Sequence, residues 1–233
     1  MKNLSCNNKT GYKAMKTKKT IFIVDDHPII HQGLAELINH EQDLAVCGHA
    51  EDAHQAMTEI KRLNPSMVIV DISLREKNGM ELIKDIKAQY PALPILTLSM
   101  HDETLYAERA LRAGARGYIM KAEATENVIT AIRRVLDNKL YVSERIAERL
   151  MHRMVGSRPQ AGSSPLDCLS DRELEVLLLI GQGHGTRQIA EKLYLSIKTI
   201  ETYRAHIKEK LNLTNAAELL RYSIQWANSG NKV

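Results

Sequence analysis

A strand-sized apolar run that stops on a carboxylate, Met67-Val68-Ile69-Val70-Asp71, constrains this chain more than any other feature. Four consecutive apolar residues, three of them β-branched, read as a strand buried on both faces of a parallel sheet. Asp71 then stands at the strand's carboxyl end, the edge of an open α/β sheet where ligands bind. Alone, it serves equally well as a residue that caps or turns the chain. The pattern repeats, however, in Ile21-Phe22-Ile23-Val24-Asp25-Asp26. If the two strands are neighbours, three carboxylates converge, and like charges that close are costly unless a cation sits among them. Hard oxygen donors favour magnesium.

The rest of the first half supplies the frame. Helical spacing over Pro28 to Asn39 is followed by a strand, Leu44-Ala45-Val46-Cys47-Gly48, and a helix from Asp52 to Leu63 ended by Asn64-Pro65. After the central strand come a helix over Gly79 to Tyr90, a strand over Pro94 to Ser99 and a helix over Glu103 to Ala113. A fifth strand, Gly117-Tyr118-Ile119-Met120, leads to a helix over Thr125 to Asn138. Five strands each followed by a helix specify a right-handed, doubly wound α/β sheet. A dinucleotide-binding version is excluded, because the loop after the first strand is Asp-Asp-His-Pro and no Gly-x-Gly-x-x-Gly follows it.

From Ser143 to Met154 the chain reads as one more helix, and Gly156 to Pro165 as a flexible Gly, Ser and Pro rich connector. Beyond it the pattern is purely helical. Ser170-Asp171-Arg172-Glu173 is a capping box opening a helix through Ile180. Thr186 is expected to cap a short helix to Leu193; Tyr194-Leu195-Ser196 turns into a longer helix over Ile197 to Leu211, and Thr214 to Trp226 is the last. Short helix, tight turn and longer helix have helix-turn-helix spacing.

Charge has to be read by segment. The first 19 residues hold six lysines and no acid, more than the whole chain's net +4. The basic pI of about 8.9 is therefore no argument for nucleic acid binding. An aromatic content of 4% argues against a stacking-based single-strand binder. No apolar run approaches a membrane span and no hydrophobic segment follows the N-terminal lysines, so a cytoplasmic protein without membrane contact is expected. Cys6, Cys47 and Cys168 lack metal-ligand spacing and read as reduced thiols; His27, His31, His40, His49 and His54 read as surface or packing residues.

Together these residues carry a resemblance. Residues 20 to 138 resemble the receiver domain of two-component response regulators, and 166 to 228 the LuxR-type helix-turn-helix, which together identify the chain as a member of the NarL/FixJ family. The resemblance implies a flavodoxin-like sheet of order 2-1-3-4-5 and a small all-α domain. It divides the chain into a disordered basic leader (1 to 19), a receiver (20 to 140), a linker helix and connector (141 to 165), a DNA-binding domain (166 to 228) and a tail (229 to 233). In the receiver it matches Asp25 and Asp26 to the acidic pair, Asp71 to the phosphoacceptor, Ser99 to the conserved hydroxyl, Tyr118 to the switch aromatic and Lys121 to the lysine. Magnesium is expected on Asp25, Asp26, Asp71 and the backbone carbonyl of Ser73, with Ser99, Tyr118 and Lys121 binding and reporting the phosphoryl group. The family's proline four residues after the phosphoacceptor is Arg75 here, which bears on loop shape and phosphate lifetime; the one after the lysine is Ala122, a departure common in this subfamily.

In the helix from Ile197, Ile200, Tyr203, Ile207 and Leu211 recur at steps of three and four and bury one face. The opposite face is polar, and Ser196 before it is an N-cap whose neighbouring amides can meet a phosphate. Lys198, Glu201 and Thr202 are expected near base edges; Thr186, Ser196, Arg204, Lys208 and Lys210 are expected near phosphates, and Thr199 belongs to the same DNA-binding set. The implied partners are a sensor histidine kinase, double-stranded promoter DNA and, when phosphorylated, a second copy of the chain. Leu219, Leu220, Ile224 and Trp226 form either the dimer seam or core. The unphosphorylated receiver is expected to hinder DNA binding or dimerisation. Two rivals are a haloacid-dehalogenase-like phosphohydrolase, disfavoured because the position two after Asp71 is Ser73 rather than an acid, and an unphosphorylated interaction module, disfavoured by the acidic pair with Lys121.

Overall fold

The protein is described from a computed structural model covering residues 18–74, 78–155 and 165–229. The leader, most of the connector, Arg75 and the last four residues lie outside the described residues. Five parallel strands, β1 (Lys19–Val24), β2 (Leu44–Ala50), β3 (Met67–Asp71), β4 (Ile95–Ser99) and β5 (Gly117–Met120), form one sheet in the order β2-β1-β3-β4-β5, as expected. Helices α1 (Pro28–His40), α2 (Ala53–Leu63), α3 (Gly79–Gln89), α4 (Glu103–Ala113) and α5 (Ala124–Leu136) connect and follow them. Successive side chains of a strand point to opposite faces, so the strands feed two cores. Ile21, Ile23, Met67, Ile69, Leu96 and Leu98 pack with Leu34 and Ile38 of α1 and Val128, Ile132 and Val135 of α5. Phe22, Val24, Val68 and Val70 pack on the other face with Ile60 of α2, Ile83 and Ile86 of α3 and Ala107 of α4.

Helix ends obey local chemistry. The Asp52 side chain accepts from the Gln55 N–H to start α2, and Asn64, with φ of 43°, ends it in the left-handed region just before Pro65. Asn78 starts α3 by accepting from the Met80 N–H at 2.8 Å. A short 3-10 turn, Lys121–Glu123, precedes α5, so the fifth strand passes Lys121 directly into a tight turn.

Gly79 touches the end of β3. A Cβ at this position would lie 2.0 Å from the Asp71 carbonyl oxygen and 2.8 Å from Ile72 Cα. Both are backbone and cannot swing aside, so Gly79→Ala must push α3 away from the Asp71 strand end. A loss of roughly 1–3 kcal/mol is expected in urea unfolding at unchanged m-value, and an equally stable variant would show that this close approach is not obligatory.

The second half comprises α6 (Glu144–Val155), α7 (Asp171–Gly181), α8 (Thr186–Leu193), α9 (Ile197–Lys210) and α10 (Ala216–Ser229). The capping box at α7 forms as expected: the Glu173 N–H donates to Ser170 Oγ and the Ser170 N–H to Glu173 Oε2. The expected cap at Thr186 does not. Gly185 occupies the N-cap, its N–H held by Gln188 Oε1 at 2.9 Å, and Thr186 is the first helical residue. A glycine tolerates the extended cap backbone, and the amide three residues on completes the box from one side.

The two halves meet through α7. Arg109 of α4 donates to the Leu169 and Leu166 carbonyls at 2.9 and 2.7 Å and to Asp171 Oδ1 at 3.1 Å. Lys84 of α3 reaches Asp171 Oδ2 at 3.3 Å, and Asn78 Nδ2 reaches Glu175 Oε2 at 3.3 Å. Burial holds the Glu175 carboxyl above its usual range, against the pull of Arg172.

Candidate functional site: an acidic strand edge and a recognition helix

The parallel register explains why the acids converge. Val24 pairs with Val70, Asp71 with Leu98, and Ser99 with Met120. One residue past the ends of β1 and β5 come Asp25 and Lys121, so Asp25, Asp71, Ser99 and Lys121 share one edge without any special loop. Asp25, Asp26 and Asp71 are all buried, at 1%, 7% and 1% exposure. Lys121 Nζ stands 2.7 Å from Asp25 Oδ2 and 2.7 Å from Asp71 Oδ2, its side chain only 4% exposed. Burial works to lower the Lys121 ammonium, but Asp71 and Asp25 outweigh it and hold it above its usual value. For Asp71 burial is again the largest influence and pushes its carboxyl upward; Lys121 opposes and Asp25 adds to the rise.

Three buried carboxylates around one ammonium leave negative charge that asks for another cation. Ligand atoms of Asp25, Asp26, His27 and Asp71 lie within 4.8 Å of one another, a donor set that can hold a metal ion. His27 is a surface residue, as expected, and it also joins the cluster. Its Nδ1 lies 2.8 Å from Asp26 Oδ1 and 3.1 Å from Asp25 Oδ1, so it is part of the acidic rim and not a bystander. Its adjacency to Asp26 was the available signal, but a lone histidine before Pro28 has no spacing to weigh. By contrast, His31 and His49 stack on each other at 4.4 Å, the packing role expected of them.

Around Asp71 the hydroxyls are already tied. The Ser73 N–H donates to Asp71 Oδ1 at 3.1 Å, and Ser73 Oγ lies 2.9 Å from His101 Nε2. Ser99 Oγ accepts from the His101 N–H at 3.0 Å. Tyr118 is turned inward, 2% exposed, with its hydroxyl donating to the His101 carbonyl at 2.8 Å. Burial pushes the Tyr118 phenol well up, so it stays a donor. His101, absent from the sequence reading, therefore meets Ser73, Ser99 and Tyr118; burial and then Lys121 hold its pKa down. Its only sequence signal was its place two residues after Ser99.

The polar face of α9 is likewise built by packing. Ile200 and Ile207 are fully buried, with Tyr203 and Leu211 against the same core, as the periodicity required. Ser196 caps α9 by accepting from the Thr199 N–H at 3.0 Å, and its hydroxyl meets Thr199 Oγ1 at 2.8 Å. Lys198, Glu201 and Thr202 stand exposed; Thr202 Oγ1 also donates to the Lys198 carbonyl at 3.0 Å. Thr186 and Arg204 line one hollow beside Leu220, and Arg204 and Lys208 line another beside Glu201. Lys210 is placed differently from a free phosphate contact: its Nζ lies 2.7 Å from buried Glu173 Oε2. On α10, Leu219 is core, while Leu220 and Ile224 are exposed at 43% and 40%. Trp226 is partly buried.

An aspartate at the end of β3 facing a buried lysine, joined to a helix-turn-helix, defines a signalling receiver with a DNA-binding output domain. Residues 21–133 match the response regulator receiver domain, and residues 167–223 match the bacterial regulatory proteins of the luxR family. The chain belongs to the NarL/FixJ family of two-component response regulators and is a DNA-binding regulator of transcription. It is 35% identical over 209 residues to the oxygen regulatory protein NreC of Staphylococcus carnosus, covering 88% of this chain and 96% of that one. Among solved structures it is similar to the Salmonella typhimurium RcsB response regulator, with a TM-score of 0.64 at 26% identity over 90% of this chain and 98% of that one. RcsB bound to promoter rprA with the phosphomimetic BeF3- matches with a TM-score of 0.60 at 28% identity, over 88% of this chain and 98% of that one.

Proposed function

We propose that Asp71 accepts a phosphoryl group from a sensor histidine kinase and that this switches dimerisation and promoter binding. The observation that carries the reading is the meeting of Asp25, Asp71 and Lys121 at 2.7 Å on one sheet edge. An Asp71 carboxylate oxygen attacks phosphorus, the bond to the donor's imidazole nitrogen breaks, and an acyl phosphate remains. Asp25, Asp26, Asp71 and the Ser73 carbonyl would hold magnesium, with His27 at the rim. When bound, the ion neutralises charge on the phosphoryl oxygens and aligns them. Lys121 leaves Asp71 Oδ2 for a phosphoryl oxygen, and Ser99 offers its hydroxyl hydrogen. Apart from this self-modification the protein is not an enzyme.

The domain division at 20–140 and 166–228 is supported by the matched segments at 21–133 and 167–223. A cytoplasmic location fits a receiver joined to a DNA-binding domain; no described helix is long and apolar enough to cross a membrane. Inhibition by the receiver does not proceed by covering the recognition helix, since Lys198, Glu201, Thr202 and Glu209 are exposed while the receiver holds α7. Restraint of α7 limits how two recognition helices pair across half-sites. Exposed Leu220 and Ile224 fit the dimer seam.

The reading is tested by titrating promoter DNA with the intact protein before and after acetyl phosphate treatment at several salt concentrations. Phosphorylation is expected to tighten binding. Lys208→Ala should weaken binding to all sequences and reduce the salt slope by about 1, whereas Thr202→Ala should alter base preference with an unchanged slope. A Lys208 variant that keeps the wild-type slope would remove that residue from the interface.

A further inference from the structure

His101 occupies a position that the phosphoacceptor chemistry does not require. Its ring touches Ser73 Oγ at 2.9 Å on the loop after Asp71, and its backbone holds Ser99 Oγ on one side and the Tyr118 hydroxyl on the other. The same ring stacks on Tyr106 of α4, centroids 4.6 Å apart and planes 20° from parallel. Tyr106 is 1% exposed, and its hydroxyl has no hydrogen-bond partner among the described residues. Beside the stack lies a half-open hollow of about 340 Å³, lined from the receiver side by Met100, His101 and Tyr106 and from the DNA-binding side by Leu178, Gln182 and Trp226. One side chain thus spans the distance from the phosphoryl site to the contact between the halves.

We propose that His101 is the positioning residue through which phosphorylation of Asp71 reaches the α4–α7 contact. The inference rests on Asp71 being the phosphoacceptor. A phosphoryl group brings oxygens that accept hydrogen bonds. Ser99 now accepts from the His101 N–H and its hydroxyl meets the Tyr118 phenol; turning its hydrogen from there to the phosphoryl group draws residues 99–101 inward. The Ser73 hydroxyl, drawn the same way, leaves the imidazole. The ring is then held only by Tyr106, and the stack that lines the cavity shifts against α7 and α10. Tyr118 is already buried in this arrangement and has little further to turn, which leaves His101 as the moving part.

Trp226 is the only tryptophan in the chain and lines this cavity, so its fluorescence reports the contact without a label. The full-length protein is treated with acetyl phosphate and magnesium, occupancy is read by intact mass, and Trp226 emission is recorded before and after. The wild type should shift its emission on phosphorylation, and Asp71→Asn should take no phosphate and show no shift. His101→Phe keeps the stack but cannot bond Ser73; at equal occupancy it should lose most of the shift, whichever of the two spectra it displays. His101→Gln keeps a polar group for Ser73 and should retain more of the shift than His101→Phe. A full shift in His101→Phe, or in both variants alike, reduces His101 to packing and overturns the proposal. A wild type that is phosphorylated on Asp71 without a shift overturns it too and leaves the phosphoacceptor reading intact. Failure of Asp71 to take phosphate removes both.

Discussion

Asp71→Asn is expected to abolish phosphorylation: incubated with acetyl phosphate and magnesium, the variant should gain no phosphoryl mass at conditions where the wild type approaches full occupancy. The amide is nearly isosteric with the carboxylate, so the Ser73 N–H can still find an acceptor oxygen and the strand end keeps its shape. What is lost is the nucleophile, since an amide oxygen does not form a stable phosphate linkage at neutral pH. The variant also removes one of three buried negative charges, which should weaken magnesium binding. Protein-level stability is expected to hold or rise, because Asp71 carries a burial cost that lifts its carboxyl pKa and Lys121 keeps Asp25 as its partner. Phosphate gain equal to wild type would place the acceptor elsewhere, and the neighbouring acids Asp25 and Asp26 would then be the residues to replace.

Lys121→Ala should produce the second large effect, on stability and signalling together. The ammonium is 4% exposed and bridges two carboxylates at 2.7 Å. Removing one partner of a buried ion pair strands the other, a loss of about 3–5 kcal/mol. Without the lysine, Asp25 and Asp71 repel each other with no cation between them. The loss should be largest in chelator and partly recovered in millimolar magnesium, because a divalent ion that binds only the folded state stabilises it by mass action. The variant should still accept phosphate but no longer convert it into tighter DNA binding, since no amine is left to pull the loop toward the phosphoryl oxygens. Urea unfolding with and without magnesium, followed by DNA titration of the phosphorylated protein, measures both halves. Unchanged stability in chelator would mean the bridge contributes nothing net, and wild-type stimulation of DNA binding would take Lys121 out of the switch.

Much of this was legible in the residues. Apolar runs ending in Asp71 and in Asp25-Asp26 determine strands buried on both faces, and a parallel sheet must then put their carboxyl ends on one side. Ile200 and Ile207 at a seven-residue interval determine which face of α9 is buried, leaving Lys198, Glu201 and Thr202 outside. Ser170 with Glu173 determines where α7 begins. These features depend on short-range periodicity and on backbone groups that must be satisfied locally, so sequence carries them.

Other features exist only because distant segments meet. His27 at the acidic rim, Lys210 held by Glu173 and Gly185 in place of Thr186 at a helix start depend on which neighbour wins a donor, not on spacing. His101 reaches Ser73 across 28 residues, and Arg109 reaches Asp171 across 62. Hydrophobic period and strand-end chemistry lead from the residues to a doubly wound sheet with an acidic edge and to a helix-turn-helix with a polar face, and the resemblance carried by Asp25, Asp26, Asp71 and Lys121 made that sheet a receiver. That α7, rather than α9, is held by the receiver emerges from folding alone, because it depends on how Arg109, Lys84 and Asn78 complement Asp171 and Glu175 once both domains have formed.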